Sequence, residues 1–322
     1  MSLGKDKMRF GRLDLNLLVA LDRLLTYRSV TQASDEMHLT QSAMSSALRR
    51  LRDYFDDPLL VQVGRQMQLT PKAESLRQPL REILVRIESA ITSDLDFDPQ
   101  TSKREFRIVL SDYTLQVLAP RVLAEAARQQ ASVRFKWLAQ VRDPGAVIDR
   151  GDADLIIAPD ILLSAEHPSE ALYSDDFVAL AWAQGRYGQA PLTLERYLEA
   201  RHMVTIPQVG TSSVIVTGLA KRGLRLEVDV ECFSFSALAP LLVGTDRIAT
   251  VHGALADQAL RWLPLVLHPL PFDPPRIVEH VQWHAQLGQD PALRWLRGLL
   301  SMAASALHRE RPGIDAVNAR DA

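Results

Sequence analysis

The residues best suited to chemistry near the amino end lie in one short stretch. Gln41, Ser42, Ser45 and Ser46 are hydrogen-bonding side chains, and Arg49, Arg50 and Arg52 follow with no acid between Gln41 and Arg52. On a helix this order puts amides and hydroxyls at the amino tip and guanidiniums behind them. Gln matches the adenine edge and Ser meets several bases, while Arg suits phosphates. The chemistry is that of reading duplex DNA. A second set has the character of a ligand pocket. Ser111, Asp112, Thr114, Pro159, His202, Thr205, Gly210, Phe233, Phe235 and Trp283 lie at or near the ends of apolar runs. They combine hydroxyls, one histidine and aromatic surfaces, which suits a phenol or an aromatic acid.

Particular elements must position the first set. Leu15, Leu18, Val19, Leu21, Leu24 and Leu25 recur at three- and four-residue spacing, which predicts a helix over Leu13–Tyr27. A short helix follows over Gln32–Met37, capped by Thr31. After the His38-Leu39-Thr40 break, Thr40 caps a third helix over Gln41–Phe55 with Met44, Ala47, Leu48 and Leu51 inward. Two short helices with a polar tip on the second make a helix-turn-helix. Alternating runs at 59–63 and 66–69 around Gly64-Arg65 read as a hairpin, a wing whose tip residue Arg65 reaches the duplex or simply faces solvent. The expected DNA contacts are therefore Thr31, Thr40, Gln41, Ser42, Ser45, Ser46, Arg49, Arg50, Arg52 and Arg65. A plain three-helix bundle with a solvated face is the alternative.

Thr70-Pro71 is a good helix start, and Leu76, Leu80, Ile83, Ile87 and Ala90 then alternate spacings of four and three. This is a coiled-coil seam, so Leu76, Leu80, Ile83 and Ile87 are expected to join two copies. The alternative is packing of this helix on its own chain. Pro79 should kink it. From Glu105 onward strand and helix patterns alternate, as in two linked halves of an open parallel sheet with a cleft between them. Ligands of such sheets sit beyond the carboxyl ends of the strands, which is why the second set is expected there. Each member has a bland counterpart: Ser111, Asp112 and Thr114 as helix caps, and Phe233 and Phe235 as core. Phe177–Trp182 is expected to cross between the halves.

Composition narrows the function classes. The 322 residues carry 37 Lys and Arg against 39 Asp and Glu, a net charge of -2, so DNA binding must come from a local patch. The first seventy residues are mildly basic and the remainder mildly acidic. The single cysteine, Cys232, excludes a disulfide framework and a multi-cysteine metal site, and reads as a small apolar residue. His280 and His284, four apart on a strand, do not form a helical metal face, so no metal is expected. No apolar run is long enough to span a bilayer, and the start has no apolar signal segment, so a cytoplasmic protein is expected. No Gly-x-Ser-x-Gly elbow, phosphate-binding Gly-x-x-x-x-Gly-Lys loop or Gly-x-Gly-x-x-Gly is present. A hydrolase or a plain small-molecule-binding protein using the cleft is the weaker alternative.

The stretches Arg12–Leu18, Ser29–Ser34, Leu39–Ser45, Arg49–Arg52, Asp57–Leu60 and Leu69–Ala73 resemble the winged helix-turn-helix of LysR-type transcriptional regulators. Met8–Phe10, Phe106–Asp112 and Val243–Thr250 are most similar to the branch of nodulation regulators and regulators of aromatic breakdown. Ala43 stands where the family usually has proline. The resemblance implies an α/β chain with a winged helix-turn-helix head, 13–70, and a linker and dimerisation helix, 71–98. A bilobal effector domain like a periplasmic binding protein, 99–308, and a flexible tail, 309–322, would follow. It also implies a homodimer or homotetramer on an interrupted palindrome, no enzymatic activity and no cofactor. A small aromatic co-inducer, activation and RNA polymerase as a further partner complete the expectation.

Overall fold

The computed structural model describes residues 13–64, 66–92, 97–206, 213–274 and 277–310. Arg65, Gly210 and the tail beyond residue 310 lie outside them. Contacts divide the chain into two units, Met1–Thr92 and Ser93–Ala322, so the long helix belongs with the head.

In the first unit, α1 (Leu15–Tyr27), α2 (Val30–Glu36) and α3 (Gln41–Phe55) surround a core of Leu17, Leu21, Leu24, Leu25, Ala33, Met44, Leu48 and Leu51. Asp14 caps α1 by accepting from Leu17 N at 2.8 Å, and Thr40 caps α3 by accepting from Ala43 N at 3.2 Å. The cap of α2 is Ser29, not Thr31: Ser29 accepts from Gln32 N at 3.3 Å, and the helix begins two residues before its expected start. The strands β1 (Leu60–Val63) and β2 (Gln66–Leu69) pair antiparallel, with Val63 opposite Gln66. Gly64 takes φ +64° there, a conformation that glycine adopts without strain. Then α4 (Pro71–Thr92) follows, with Pro79 inside it.

The second unit has two five-stranded sheets. One has the order β4 (Arg134–Ala139), β3 (Glu105–Leu110), β5 (Leu155–Pro159), β12 (Ile277–Gln282), β6 (Ser169–Asp175). The other runs β11 (Leu265–Pro269), β7 (Phe177–Trp182), β10 (Arg247–His252), β8 (Arg201–Thr205), β9 (Glu227–Cys232). In the first lobe, β3, β4 and β5 are parallel, and β12 runs against β5 and β6. In the second lobe, β8 is parallel to β9 and β10, while β7 runs against β10 and β11.

The helices α5 (Asp112–Val117), α6 (Ala119–Arg128), α7 (Pro144–Asp149) and α12 (Pro291–Glu310) serve the first lobe. The second lobe carries α8 (Leu194–Glu199), α9 (Val214–Ala220), α10 (Leu238–Leu242) and α11 (Gly253–Ala259). The largest core joins α6 and α12 to the first sheet through Phe106, Ile108, Val122, Leu296, Leu299, Leu300 and Ala303.

Three sequence expectations change. Phe177–Trp182 does not cross between lobes; it lies wholly in the second sheet, and the crossing is at Asp176, between the end of β6 and the start of β7. The helix expected over Leu118–Gln130 is present as α6, with Pro120 in its first turn, but a short helix, α5, precedes it and meets it at Leu118. The strands β6 and β11 were not foreseen; in β6 the short run Ala171–Tyr173 is flanked by polar residues on both sides.

Candidate nucleic-acid interface and ligand cleft

Met44, Leu48 and Leu51 anchor α3 in the head core, so its opposite face is set by helical geometry alone. On that face Gln41, Ser42, Ser45 and Arg49 are exposed, and Ser46 is half-buried. Gln41 Nε2 donates to Thr31 Oγ1 at 3.2 Å, and the Thr40 and Ser42 hydroxyls are 3.0 Å apart. These bonds hold the polar tip in place and tie it to α2. Arg49 has no ion pair among the described residues, so its charge is available to a phosphate.

The other two arginines differ. Arg50 pairs with Asp14 at 3.1 Å, both side chains more than half exposed, a weak pair that an incoming phosphate can displace. Leu17 N and Arg50 hold the Asp14 carboxyl below the usual carboxylate range. Arg52 is a correction. Its Nε donates to Pro58 O at 2.8 Å and its Nη2 to Leu60 O at 3.0 Å, so it fastens the wing to α3 instead of reaching for DNA. The sequence does not set Arg52 apart from Arg49 and Arg50, but the chain turns back past the end of α3 and brings the carbonyls of Pro58 and Leu60 to Arg52. Asp57, which accepts from Leu59 N and the Thr70 hydroxyl, sets that turn, and Thr70 in turn caps α4.

The seam expected on α4 splits. Leu80 is buried in the head's own core, with Leu76 and Leu84 packed against it. Arg81 donates to Asp22 Oδ2 at 2.7 Å and to Thr26 Oγ1 at 2.8 Å, a nearly buried pair between α4 and α1. Leu76 and Leu80 therefore bind the head, while Ile83 is exposed and Ile87 half-buried.

In the second unit, a cavity of 370 Å³ opens at the carboxyl ends of β3 and β4, closed from the other lobe by the segment after β9. Its walls include Leu110, Leu115, Trp137 and Phe233, and its polar groups include Ser111, Gln140, Ser234 and Ser236. Gln140 Oε1 is buried without a hydrogen-bond partner. Trp137 and Gln140 were missed in the sequence, although the rule that pointed to the ends of β3 and β5 applies equally to β4.

Ser111 lines the cavity and also caps α5, accepting from Thr114 N at 3.1 Å. Asp112 lies at the edge but is fully engaged by the second lobe. It accepts from the Ser234 and Ser236 hydroxyls at 2.7 and 2.8 Å, and from Phe235 N and Ser236 N at 3.2 and 3.0 Å. Burial alone would raise the Asp112 carboxyl; these bonds outweigh it and hold the carboxyl low. It latches the lobes together.

Other expected members fall elsewhere. Thr114 is fully buried, and its hydroxyl is held between Ser111 and Tyr173. His202 is the second residue of β8, toward the opposite edge of the sheet from the cleft, where its Nε2 lies 2.8 Å from Tyr197 O; burial lowers its pKa to about 4. Trp283 follows β12, which runs against β5, so that strand's end also lies at the far edge, and the Arg297 guanidinium covers the ring at 3.9 Å. Pro159 ends β5 and Thr205 ends β8; neither lines the cavity. Phe235 instead faces a separate 460 Å³ hollow of the second lobe with Leu255, Ala259 and Trp262. Cys232 packs half-buried on the second-lobe core.

Behind the cavity lies a polar cluster that sequence reasoning also missed. Tyr113 donates to Asp175 Oδ2 at 2.9 Å, Ala254 N donates to the same oxygen at 3.0 Å, and the His252 ring stacks on Tyr113 at 3.9 Å. Glu279 sits buried in β12 with Oε2 unpartnered; burial, then the nearby Asp175, raises its pKa to about 8. Burial lowers His252 to about 3. A lone acid inside the run Ile277–Val281 was the available signal.

Residues 15–74 match the bacterial regulatory helix-turn-helix protein model of the lysR family, and residues 99–305 match the LysR substrate binding domain. The chain belongs to the LysR family of transcriptional regulators. This LysR-family regulator is 39% identical over 301 residues to nodulation protein D 1 of Mesorhizobium japonicum, covering 93% of this chain and 96% of the relative. It is 39% identical over 303 residues to nodulation protein D 1 of Rhizobium tropici, with 93% and 98% covered. Among solved structures, a probable transcriptional regulator from Pseudomonas aeruginosa superposes with TM-score 0.63 at 32% identity, over 90% of this chain and 97% of that one. Full-length OxyR of the same organism shares the fold, TM-score 0.64 at 13% identity, over 92% and 95%. The regulator's head is thus a DNA-binding domain and its bilobal unit a small-molecule-binding domain; the family regulates transcription and is not enzymatic. No helix among the described residues is long and apolar enough to cross a membrane.

Proposed function

We propose that this regulator is an inducer-responsive activator whose inducer is a small aromatic or phenolic compound seated between the lobes. The observation that carries this reading is the cavity at the ends of β3 and β4. Its volume falls in the usual range for small-molecule sites, Trp137 and Phe233 offer aromatic faces, and the unpartnered Gln140 Oε1 is an acceptor awaiting a hydroxyl. Relatives named for nodulation agree with a regulator of a dedicated gene set.

The head reads bases through Gln41, Ser42, Ser45 and Ser46, with Thr31 and Thr40 orienting the tip and Arg49 and Arg50 on phosphates. Two heads on an interrupted palindrome require at least a homodimer, formed through the face of α4 that carries Ile83 and Ile87. The action is on promoter DNA in the cytoplasm, next to RNA polymerase. Ligand beside the Asp112 latch shifts the balance between lobe arrangements. A coupling of about 1–3 kcal/mol suffices for a response of roughly 5–150-fold.

The test is calorimetry of the full chain against a panel of phenols and aromatic acids, with Gln140→Leu and Trp137→Ala beside the parent. Saturable binding of a phenol that Gln140→Leu weakens by about 5- to 150-fold is expected. Binding of no aromatic compound, or equal binding by both variants, overturns the assignment.

A further inference from the structure

At the edge of the first sheet away from the cleft, three ligating side chains converge. The antiparallel pair β12 and β6 ends with Gln282 opposite Ser169. Two residues further out on each side stand His284 and His167, so the register itself brings the two imidazoles together, with ring centroids 5.0 Å apart. Gln282 fixes the incoming loop: its Nε2 donates to Ser164 O and His167 O, and its Oε1 accepts from Ser164 N. Asp149, the last residue of α7, completes the group, with Oδ1 2.9 Å from His167 Nε2. One donor atom from each of the three lies within 4.8 Å of the other two.

We propose that Asp149, His167 and His284 form a binding site for a first-row transition ion of the zinc type. Two imidazoles and one carboxylate are a common donor set for such ions, with water in the fourth position. Calcium and magnesium prefer oxygen donors, and two imidazoles suit them poorly.

A second observation points to a ligand. The His167 side chain is 6% exposed, yet its Nδ1 is buried with no hydrogen-bond partner. Such an atom is costly in a finished core unless something occupies it. Asp149 is the open side of the cluster, its carboxylate 44% exposed, which gives an ion a way in.

Ligand atoms around a tetrahedral ion at about 2.0–2.2 Å stand roughly 3.4 Å apart, a spacing that small side-chain rotations reach from the present one, in which all three donors lie within 4.8 Å of one another. Imidazole must present a lone pair to the ion. His284 Nδ1 accepts from Gln286 N at 3.1 Å. An ion on Nε2 places the ring proton on Nδ1, and an ion on Nδ1 displaces the amide directly. Either way the Gln286 N–H bond to His284 is lost when the ion arrives. The bound ion staples the end of α7, the loop before β6 and the segment after β12, three pieces distant in sequence. It acts on the rigidity of the first lobe, from the edge opposite the inducer cleft.

The experiment uses the full chain, freed of any histidine tag and stripped with chelator, and titrates it with Zn(II) and Co(II). One equivalent per chain should bind, Co(II) should give visible absorption of tetrahedral type, the unfolding temperature should rise, and the Gln286 amide should exchange faster. His167→Gln, Asp149→Asn and His284→Ala should each weaken binding by about 100-fold or more, since even outer partners of metal ligands matter by 10–100-fold. His280→Ala, on β12 but outside the cluster, should bind as the parent does. Absence of saturable binding to the parent overturns the proposal without any variant. Equal binding by the parent and by any two of the three ligand variants that remain folded also overturns it, because the ion then sits elsewhere.

Discussion

Arg49 and Arg52 lie three residues apart on one helix, and they do different work. Arg49 is exposed and without an ion pair among the described residues, while Arg52 donates to two carbonyls of the segment leading into the wing. Arg49→Ala should therefore weaken binding to every DNA sequence alike and reduce the salt slope by about 1, with head stability unchanged. Arg52→Ala should instead lower head stability by about 1.5–3 kcal/mol, as expected for bonds from a charged donor. Urea unfolding together with binding isotherms at several salt concentrations separates the two. A stability loss from Arg49→Ala and none from Arg52→Ala would reverse the assignment. The polar tip was legible in the sequence, because an order of Gln and Ser followed by Arg has few uses on a helix. The role of Arg52 was not, because it depends on where Pro58 and Leu60 return in space. For the same reason Gln140 stayed hidden and His202 and Trp283 were misplaced: residue type was visible, but the edge of the sheet follows from strand direction.

The helix α4 shows the same division one level up. Its four-three spacing is plain in the sequence, but spacing does not say which apolar side chains face the head and which face a partner. The buried Arg81–Asp22 pair settles the rotation by fixing α4 against α1. Leu80 then lies inside the head core and Ile83 outside it. Leu80→Ala should cost about 2–5 kcal/mol in head stability by leaving a cavity. Ile83→Asp should leave that stability nearly unchanged and lower the oligomeric mass at micromolar concentration, as read by sedimentation. A fully dimeric Ile83→Asp would move the interface off this face. The strands were read more easily than the short helices. Runs such as Ile108–Leu110 and Leu155–Ala158 are apolar throughout, as befits buried parallel strands. By contrast α8 and α11 span 6 and 7 residues, too short to establish a period.

Between the lobes of the second unit, the molecule as a whole carries a pH-dependent strain. The groups around Glu279 are Tyr113, Tyr173 and Asp175, all buried and none of them a cation. Glu279 is therefore held protonated up to about pH 8, far above its ordinary 4.5. A folded pKa raised in this way means that the folded state binds more protons than the unfolded one between the two values. The contribution is complete below pH 4.5, declines above it, and is gone once pH has passed 8. His252 and His202, lowered to about 3 and about 4 by burial, act in the opposite sense. Their contribution is complete above pH 6.5 and is lost as pH falls through those low values. Between pH 6.5 and 8 these two histidines are silent, and of the three groups Glu279 tilts the balance. Stability should fall across that window with a slope of up to about 1.4 kcal/mol per pH unit. Glu279→Gln keeps the shape and removes the proton, so its profile should be level there and should cross above that of the parent near pH 8. Unfolding by urea at half-unit steps reads both curves. Parallel curves for parent and variant would mean that the carboxyl titrates normally and that the lobes do not enclose it. Beside Tyr113 on α5 stands Asp112, whose four bonds to Ser234, Phe235 and Ser236 close the lobes over the cavity. An acid kept neutral behind a latch kept charged gives the two lobes an arrangement that a ligand in the cavity can shift with small free energies.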